Sequence, residues 1–406
     1  MWEKLLALPG GSPMHSGKLV FAQLMEHLPL HAFRRCVARY PSRYPTLTFS
    51  HLDQFLCMAF AQLTFRESLR DIETCLRAQS SKLYHLGIRG GIARSTLADA
   101  NETRDWRIYQ DFAFYLIRIA RKLYAHDSFA VELDNTVYAL DTTTIELSMS
   151  LFPWAHYGGS HAAVKLHTLL DLRGNIPSFL YISDAKTGEL TVFDRLAFEP
   201  GSFYVLDRGF IDYARLYRLH QERAYFVVRA RSNMQFARLQ SHPVDKSSGL
   251  RCDQTIVLTG RSSAKQYPQP LRRVKLFDAE HDRRLVFLTN HLHLPALSIA
   301  QLYRCRWQIE LFFKWIKQHL RIKAFFGTSQ NAVKTQIWIA ITVYVLVAIV
   351  KKRLNGSASL YKVLQILSLT LFDKQSLDQL LAEIESMPDP PGMPNQMNLF
   401  AEISGQ

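Results

Sequence analysis

The chain has 406 residues, of which 48% are hydrophobic, so its length and composition allow a large folded core and exclude a disordered chain. Lysine and arginine number 49 against 35 aspartates and glutamates, and the formal net charge of +14 favours a polyanionic partner such as nucleic acid. The five cysteines lack CxxC spacing, which indicates reduced thiols in a cytosolic protein and argues against disulfides or structural zinc. Residues 1–16 lack the order of a secretory signal and are interpreted as an N-terminal extension.

The first ordered region is helical. Apolar residues recur at helical spacing from Gly17 to about Tyr124. The segments TFRE at 64–67 and TLAD at 96–99 match the capping-box pattern and predict two helix starts. Short helices joined by a glycine-bearing turn are typical of a helix-turn-helix DNA-binding unit, although a plain helical bundle has the same pattern. We expect residues 17–125 to form an all-helical domain.

After Asn135 the hydrophobic period changes to that of strands. The residues up to 230 are expected to form a mixed α/β unit, which begins at about 130. Its predicted elements are strands at 136–147, 163–172, 176–185 and 203–207, a helix at 211–221 and a strand at 224–230. Residues 231–295 are interpreted as a β-rich insertion with strands at 254–258, 272–279 and 283–290 and a loop at 261–270.

Helices return in the C-terminal part, at 296–385, and residues 386–406 form a tail that is expected to be flexible. The most apolar stretch, IWIAITVYVLVAIV at 337–350, is shorter than the roughly 20 residues that cross a bilayer. We therefore expect a buried core helix here and no membrane association.

Two aspartates attract attention because they interrupt apolar strands. Asp141 lies within YALDTTT, and Asp207 ends FYVLD immediately before RGF. Burying a carboxylate is costly unless a metal ion or a cationic partner neutralises it. A single strand-end aspartate is usually a surface residue, but two on strands that could be adjacent favour a shared site.

A third acid lies on the predicted helix YRCRWQIELFFKWIK at 303–317. At 100° per residue, Tyr303, Arg306, Glu310 and Lys317 fall within an arc of about 60°. The remaining helix surface is mostly apolar. This pattern predicts a buried helix that presents one polar ridge, rather than an ordinary solvated face.

The spacing of these four residues resembles the YREK signature of bacterial DDE transposases of the insertion sequence 4 type. With LDTTT and VLDRGF upstream, the resemblance extends over the chain from about Gly17. It implies an α/β ribonuclease H-like catalytic core, a mixed five-stranded sheet with helices, that is interrupted by the β-rich insertion domain and preceded by an all-helical DNA-binding domain. It also implies that Asp141, Asp207 and Glu310 are the catalytic and metal-binding residues.

The implied activity is magnesium-dependent cleavage and strand transfer of DNA at the terminal inverted repeats of an insertion sequence. Two Mg²⁺ ions about 3.5–4 Å apart, replaceable by Mn²⁺, would clamp the attacking and leaving oxygens. The expected phosphate contacts are Tyr303, Arg306, Lys314, Lys317, Arg321 and Lys323, with Lys165 and His167 as weaker candidates. The protein is expected to be cytoplasmic and nucleoid-associated, and to act as a homodimer on terminal-repeat and target DNA.

The tail carries a short second signal. QMNLF at 396–400 resembles the peptide with which bacterial proteins dock on the replication sliding clamp, through Gln396, Leu399 and Phe400. A tail without function is an equal alternative. For the whole chain, two other functions stay open: a ribonuclease H-like nuclease without strand transfer, and a DNA-binding repressor that has lost catalysis.

Overall fold

The structure is a computed structural model that describes residues 17–42, 48–89, 91–127, 131, 133–158, 161–279, 282–320 and 325–386. The predicted N-terminal extension and almost all of the predicted tail, including Gln396, Leu399 and Phe400, lie outside these residues. The first part is helical, as predicted. Its helices are α1 (Val20–Glu26), α2 (Leu30–Arg39), α3 (His51–Leu63), α4 (Leu69–Ala78), α5 (Arg94–Thr103) and α6 (Arg107–Tyr124).

The two predicted capping boxes are wrong. Ser68 caps α4 by accepting a hydrogen bond from the backbone N–H of Asp71, whereas Thr64 follows the end of α3 and donates its hydroxyl to the carbonyl of Phe60. Thr96 lies inside α5, which begins at Arg94. A capping box with both reciprocal bonds opens α3, where Ser50 and Asp53 pair.

The strands form one mixed sheet. Its first half consists of β1 (Val137–Leu147), β2 (His156–Gly158), β3 (His161–Asp171), β4 (Ile176–Asp184), β5 (Phe203–Leu206) and β6 (Tyr225–Arg229). The order in this half is β2-β3-β1-β5-β6, with β4 also paired to β3. Strands β1, β5 and β6 are parallel, and β3 is antiparallel to both β1 and β4. Helices α7 (Glu189–Phe193) and α8 (Tyr213–Gln221) lie between β4 and β6 in the chain.

The second half of the sheet is built from the segment predicted as a β-rich insertion. Its strands are β7 (Phe236–His242), β8 (Leu250–Leu258), β9 (Leu271–Asp278) and β10 (Arg283–Thr289). They continue the first half in the order β6-β10-β9-β8-β7, because β10 pairs with β6 in antiparallel register. Strand β7 was not predicted, and the predicted loop at 261–270 contains the short helix α9 (Arg261–Gln266).

Helices cover both faces of the sheet. Alternate residues of β1 divide between the faces: Val137, Ala139 and Ile145 join the core beneath the large helical layer, whereas Tyr138 and Leu140 join a smaller core with α8. The C-terminal helices are α10 (Ala296–Arg304), α11 (Trp307–Leu320), α12 (Gln330–Arg353), α13 (Leu360–Thr370) and α14 (Leu377–Ser386).

Helix α12 is the centre of the helical layer. By length and composition alone it could cross a membrane, but 94% of its most apolar window is buried inside the protein. It packs against α3, α5 and α6 of the N-terminal part and against α11 and α13. The predicted buried helix at 337–350 is thus confirmed, and the N-terminal helices share its core.

Candidate active site

Asp141 and Asp207 occupy equivalent points of neighbouring parallel strands. The register pairs Leu140 of β1 with Leu206 of β5, so the two aspartates are the next residues along each chain. Neighbouring strands lie about 4.8 Å apart, and residues at equivalent positions of parallel strands face the same side of the sheet. The two acids therefore lie close together, beneath the helical layer, as the strand prediction required.

Arg306 joins the first aspartate to the third acid. Its guanidinium donates to Oδ2 of Asp141 at 3.1 Å and to Oε1 of Glu310. The Arg306 side chain is only 17% exposed, so both ion pairs are largely screened from water. Asp141 also accepts a hydrogen bond on Oδ1 from the backbone N–H of Thr142, at 2.7 Å.

Tyr303 reaches the second aspartate. Its hydroxyl donates to Oδ1 of Asp207 at 3.4 Å, and its ring packs on Phe287 of β10 with centroids 4.9 Å apart. Three of the four residues of the predicted ridge are thus connected to the two aspartates: Tyr303 and Arg306 by direct hydrogen bonds, and Glu310 through Arg306.

The ridge does not lie on one continuous helix, as the sequence had suggested. Helix α10 ends at Arg304 and α11 begins at Trp307, so Arg306 lies in the turn between them. The backbone tightens there, because the N–H of Arg306 bonds to the carbonyl of Tyr303, three residues earlier. Across this break Tyr303 contacts Asp207, and Arg306 contacts both Asp141 and Glu310.

Burial and charge shape the chemistry of Asp141. Burial raises the pKa of this carboxyl from 3.8 to about 6, against the opposing effects of Arg306 and the Thr142 amide. The negative charges of Asp207 and Glu310 raise the pKa further. The pKa of Arg306 is raised although its burial acts in the opposite direction, because Tyr303 and the three acids favour the charged guanidinium. The site therefore needs a positive charge, and Arg306 supplies it.

A buried polar chain lies behind Asp141 and was missed in the sequence. His167 shares one hydrogen bond with the Thr142 hydroxyl and another with the Ser183 hydroxyl, each at 2.8 Å. Its ring is fully buried and stacks on Tyr181, and burial lowers its pKa to about 4. The predicted phosphate contact by His167 is wrong, because a neutral, inaccessible imidazole braces the strand instead. The three threonines that follow Asp141 were the sequence feature that could have indicated this buried polar chain.

The other predicted cations lie outside this cluster. Lys165 donates to the carbonyl of Thr187 at 3.0 Å, and Lys314 is exposed on α11. Lys317 follows Glu310 by nearly two turns of α11 and is partly exposed. Arg321 and Lys323 lie outside the described residues.

The three acids fit a divalent metal by their chemistry, although this conformation does not gather them around one point. Within the described ranges, no three His, Cys, Asp or Glu side chains lie close enough together to hold one ion. Carboxylate oxygens are the ligands that Mg²⁺ prefers. The guanidinium that links Asp141 to Glu310 is the cation that such an ion would replace.

The family follows from comparison with known proteins. Residues 132–346, more than half of the chain, match the family described as the transposase DDE domain. The chain belongs to the DDE transposase family. The transposase also matches a domain of unknown function over residues 16–89. A DDE domain implies a divalent metal ion, so the family agrees with the chemistry of the acids.

Relatives of the transposase include two proteins that are assigned to insertion sequence elements. It is 30% identical over 297 residues to a Sinorhizobium fredii protein assigned as the transposase y4zB. This match covers 72% of the present chain and 80% of the relative. It is 31% identical to one assigned to insertion sequence element IS5377 of Geobacillus stearothermophilus, over 54% and 59% of the two chains. A Synechocystis protein assigned to element IS4SA is 25% identical over 87% and 98%. These relatives support an enzyme of DNA transposition.

Proposed function

We propose that the transposase binds the terminal inverted repeats of its insertion sequence and catalyses magnesium-dependent strand cleavage and strand transfer through Asp141, Asp207 and Glu310. The observation that carries the proposal is the convergence of these acids on the Tyr303–Arg306 turn. Asp141 and Asp207 follow paired residues of parallel strands, and Arg306 links Asp141 to Glu310.

The strand order supports a ribonuclease H-like core. In the order β4-β3-β1-β5-β6, β3 is antiparallel to β1 and β4, whereas β1, β5 and β6 are parallel. In this proposal the first acid lies on β1, the first strand of the core, and the second acid directly follows β5. In this proposal residues 130–230 and 296–385 form the core, 231–295 form the insertion and 17–125 form the DNA-binding domain. The third acid then follows the insertion, on α11.

Asp141, Asp207 and Glu310 would hold the divalent ions. Two Mg²⁺ ions, or Mn²⁺ in their place, supply activation of the attacking oxygen and stabilisation of the leaving oxygen. Arg306 neutralises Asp141 and Glu310 until the acids bind cations, and it then becomes available to a phosphate. The buried Nε of Arg306, for which the described residues offer no acceptor, supports this exchange, because a phosphate oxygen would provide one.

The residues around the acids would position the DNA backbone rather than read its sequence. Tyr303 is held beside Asp207, where its hydroxyl can also bond a phosphate oxygen. Arg306 and Lys317 complete the proposed YREK signature of the insertion sequence 4 type. Lys314 extends the cationic surface along α11, and Lys165 is the remaining candidate on β3.

The proposed partners follow from the reaction. Two element ends must be cut together, so we expect a homodimer on terminal-repeat and target DNA, in the cytoplasm and on the nucleoid. Docking of Gln396, Leu399 and Phe400 on the sliding clamp is a separate proposal. A pull-down with purified clamp tests it, and equal recovery of the wild type and of Gln396→Ala with Phe400→Ala would refute it.

The function is tested by incubating the purified protein with labelled duplexes that end in the terminal repeats, with a target plasmid and Mg²⁺. We expect cleavage at the repeat ends and joined products in the plasmid. Cleavage without joining would instead assign a nuclease, and a gel shift without cleavage would assign a DNA-binding repressor. Replacing Mg²⁺ by EDTA is the control, because metal-independent products would not come from this site.

A further inference from the structure

A cationic groove lies away from the acids, between α2 and α6. It forms a cavity of about 790 Å³ that reaches the start of β1 and the end of β3. Six cationic side chains line it against two carboxylates, Asp111 and Asp171. The six are Arg35, Arg39, Arg118, Arg121, Lys122 and Arg173.

Half of these cations build the walls of the groove. Arg39 pairs with Asp111 at 2.8 Å and so ties α2 to α6. Arg121 pairs with Asp171 at 3.3 Å, and Arg173 donates to the carbonyls of Ala125 and Leu133. These side chains are already committed to contacts within the protein.

The wall formed by the turn between β3 and β4 is also close-packed. Gly174 has a φ of +76°, and a Cβ at this position would lie 2.2 Å from the ring of Tyr124 at the end of α6. Only glycine fits this approach. The β-turn therefore holds the end of α6, and the groove is a preformed shape.

The other three cations form its open rim. Arg35 on α2 and Arg118 and Lys122 on α6 are exposed, and within the described residues no carboxylate lies within 4.0 Å of them. Arg118 and Lys122 are one helical turn apart, so they lie on the same side of α6. Arg118 lies over the ring of Tyr115, 5.6 Å from its centroid, which leaves its charge without a counter-ion. Neighbouring cations without carboxylate partners repel, and a row of phosphates would relieve this repulsion.

We propose that this α2–α6 groove binds the phosphate backbone of duplex DNA, as a contact separate from the acids. The inference rests on the proposed function, because it assigns that function's DNA a second surface. Thr136 at the groove precedes Asp141 by five residues of extended chain, about 17 Å. That span equals about five base-pair steps, so one duplex can reach both sites.

The test is duplex binding by fluorescence anisotropy between 50 and 200 mM salt. The variant carries Arg35→Glu, Arg118→Glu and Lys122→Glu. We expect a loss of affinity of about tenfold or more, for the terminal repeat and for an unrelated duplex alike. The slope of log affinity against log salt should become shallower by about 2.7, since each phosphate contact contributes about 0.9.

A matched control changes three exposed cations, one in the turn before β8 and two on α9 after it, with Lys246→Glu, Arg261→Glu and Lys265→Glu. It alters the net charge equally, and we expect it to bind almost as well as the wild type. Equal affinities of the two variants for the duplex would overturn the proposal that the α2–α6 groove binds DNA. If the charge reversals impair folding, Arg35, Arg118 and Lys122 are replaced by glutamine instead. Each of these substitutions changes the charge by one unit rather than two, so we expect a smaller loss of affinity in the same direction.

The failures of the two proposals are distinguishable. Binding that depends on the groove in a protein that never cleaves with Mg²⁺ would support the groove and refute the proposed activity. If the protein cleaves with Mg²⁺ but its DNA affinity does not change with the groove substitutions, the proposed activity is supported and the groove is refuted. The catalytic substitution Asp141→Asn serves as the reference, since it leaves the groove intact.

Discussion

The guanidinium of Arg306 donates to Asp141 at 3.1 Å and also to Glu310, so one side chain links two of the three acids. Asp207 lies beside them and accepts a hydrogen bond from the Tyr303 hydroxyl instead. In this conformation a protein cation neutralises two of the carboxylates to which we assign the divalent ions. Any ion that binds Asp141 and Glu310 therefore competes with Arg306.

The first prediction concerns this competition. Arg306→Gln leaves Asp141 and Glu310 without their cation, and we expect a loss of about 2 kcal/mol of unfolding free energy in EDTA, since hydrogen bonds to charged groups contribute about 1.5–3 kcal/mol. Mg²⁺ should stabilise the variant more than the wild type, because it no longer has to displace a guanidinium. Urea unfolding with EDTA and with Mg²⁺ measures both effects.

Lys314→Gln, on the exposed side of the same helix, is the control for charge and helix propensity. We expect its stability to match the wild type in both buffers. Competition by Arg306 would be disproved if Mg²⁺ stabilised Arg306→Gln no more than it stabilises the wild type.

The second prediction concerns pH and the buried His167. Its pKa is lowered from 6.5 to about 4 in the folded protein, so between these values the unfolded chain binds the extra proton. Its stabilising contribution is therefore present above pH 6.5 and is lost as the pH falls towards 4, by at most about 3 kcal/mol. Asp141 titrates in the opposite sense between pH 3.8 and about 6, so its raised pKa favours the fold as the pH falls.

Comparison of the wild type with His167→Gln isolates the histidine, because the other groups contribute to both proteins. We expect the wild type's stability advantage to shrink steadily from pH 7 to pH 4 in urea unfolding experiments. An advantage that stays constant over this range would mean that His167 titrates normally, and would contradict its buried, neutral role.

The third prediction concerns the ion pair that joins β8 and β9. Arg272 donates to both oxygens of Asp253, at 2.8 and 2.7 Å, and the side chains are only 7% and 5% exposed. Arg272→Met leaves the buried carboxylate of Asp253 without its cation, and we expect the free energy of unfolding to fall by about 3–5 kcal/mol. Urea unfolding provides the measurement.

The matched control is Arg304→Met, which breaks the looser pair with Asp278 at 3.8 Å, where the arginine side chain is 48% exposed. The Asp278 side chain is only 14% exposed, but the pair is long and its arginine is half exposed. Pairs that water screens contribute about 0–1 kcal/mol, so this variant should unfold almost like the wild type. Equal losses in the two variants would show that burial does not set the cost.

Much of the architecture could be predicted because the hydrophobic pattern changes period at Asn135. Strands with a buried face, such as β1 and β3, were found for that reason. Strand β7 was missed because it is an edge strand whose residues are mostly exposed, so it carries no apolar alternation. The N-terminus of α4 was misplaced because Thr64 and Ser68 head overlapping motifs, and the positive φ of Phe65, at 56°, ends the preceding helix there.

The sequence indicated the residues of the candidate site, but it did not indicate the contacts that the structure shows between them. Asp141 and Asp207 were recognised because acids at the ends of apolar strands are costly. The break after Arg304 could not be seen, since the residues on either side keep a helical period. The ion pair of Arg306 with Asp141 could not be seen either, because it joins residues 165 positions apart. The two ion pairs give Arg306 a role in the protein as well as the proposed one on DNA.

The most direct test of the central claim is the cleavage rate of terminal-repeat DNA by Asp141→Asn, Asp207→Asn and Glu310→Gln at saturating Mg²⁺. We predict that each variant binds the duplex but cleaves at least about a thousandfold more slowly, since metal clamping contributes several kcal/mol and each 1.36 kcal/mol is a factor of ten. Glu146→Gln, an exposed acid on β1, should cleave like the wild type. Wild-type cleavage by any one of the three variants would contradict the account.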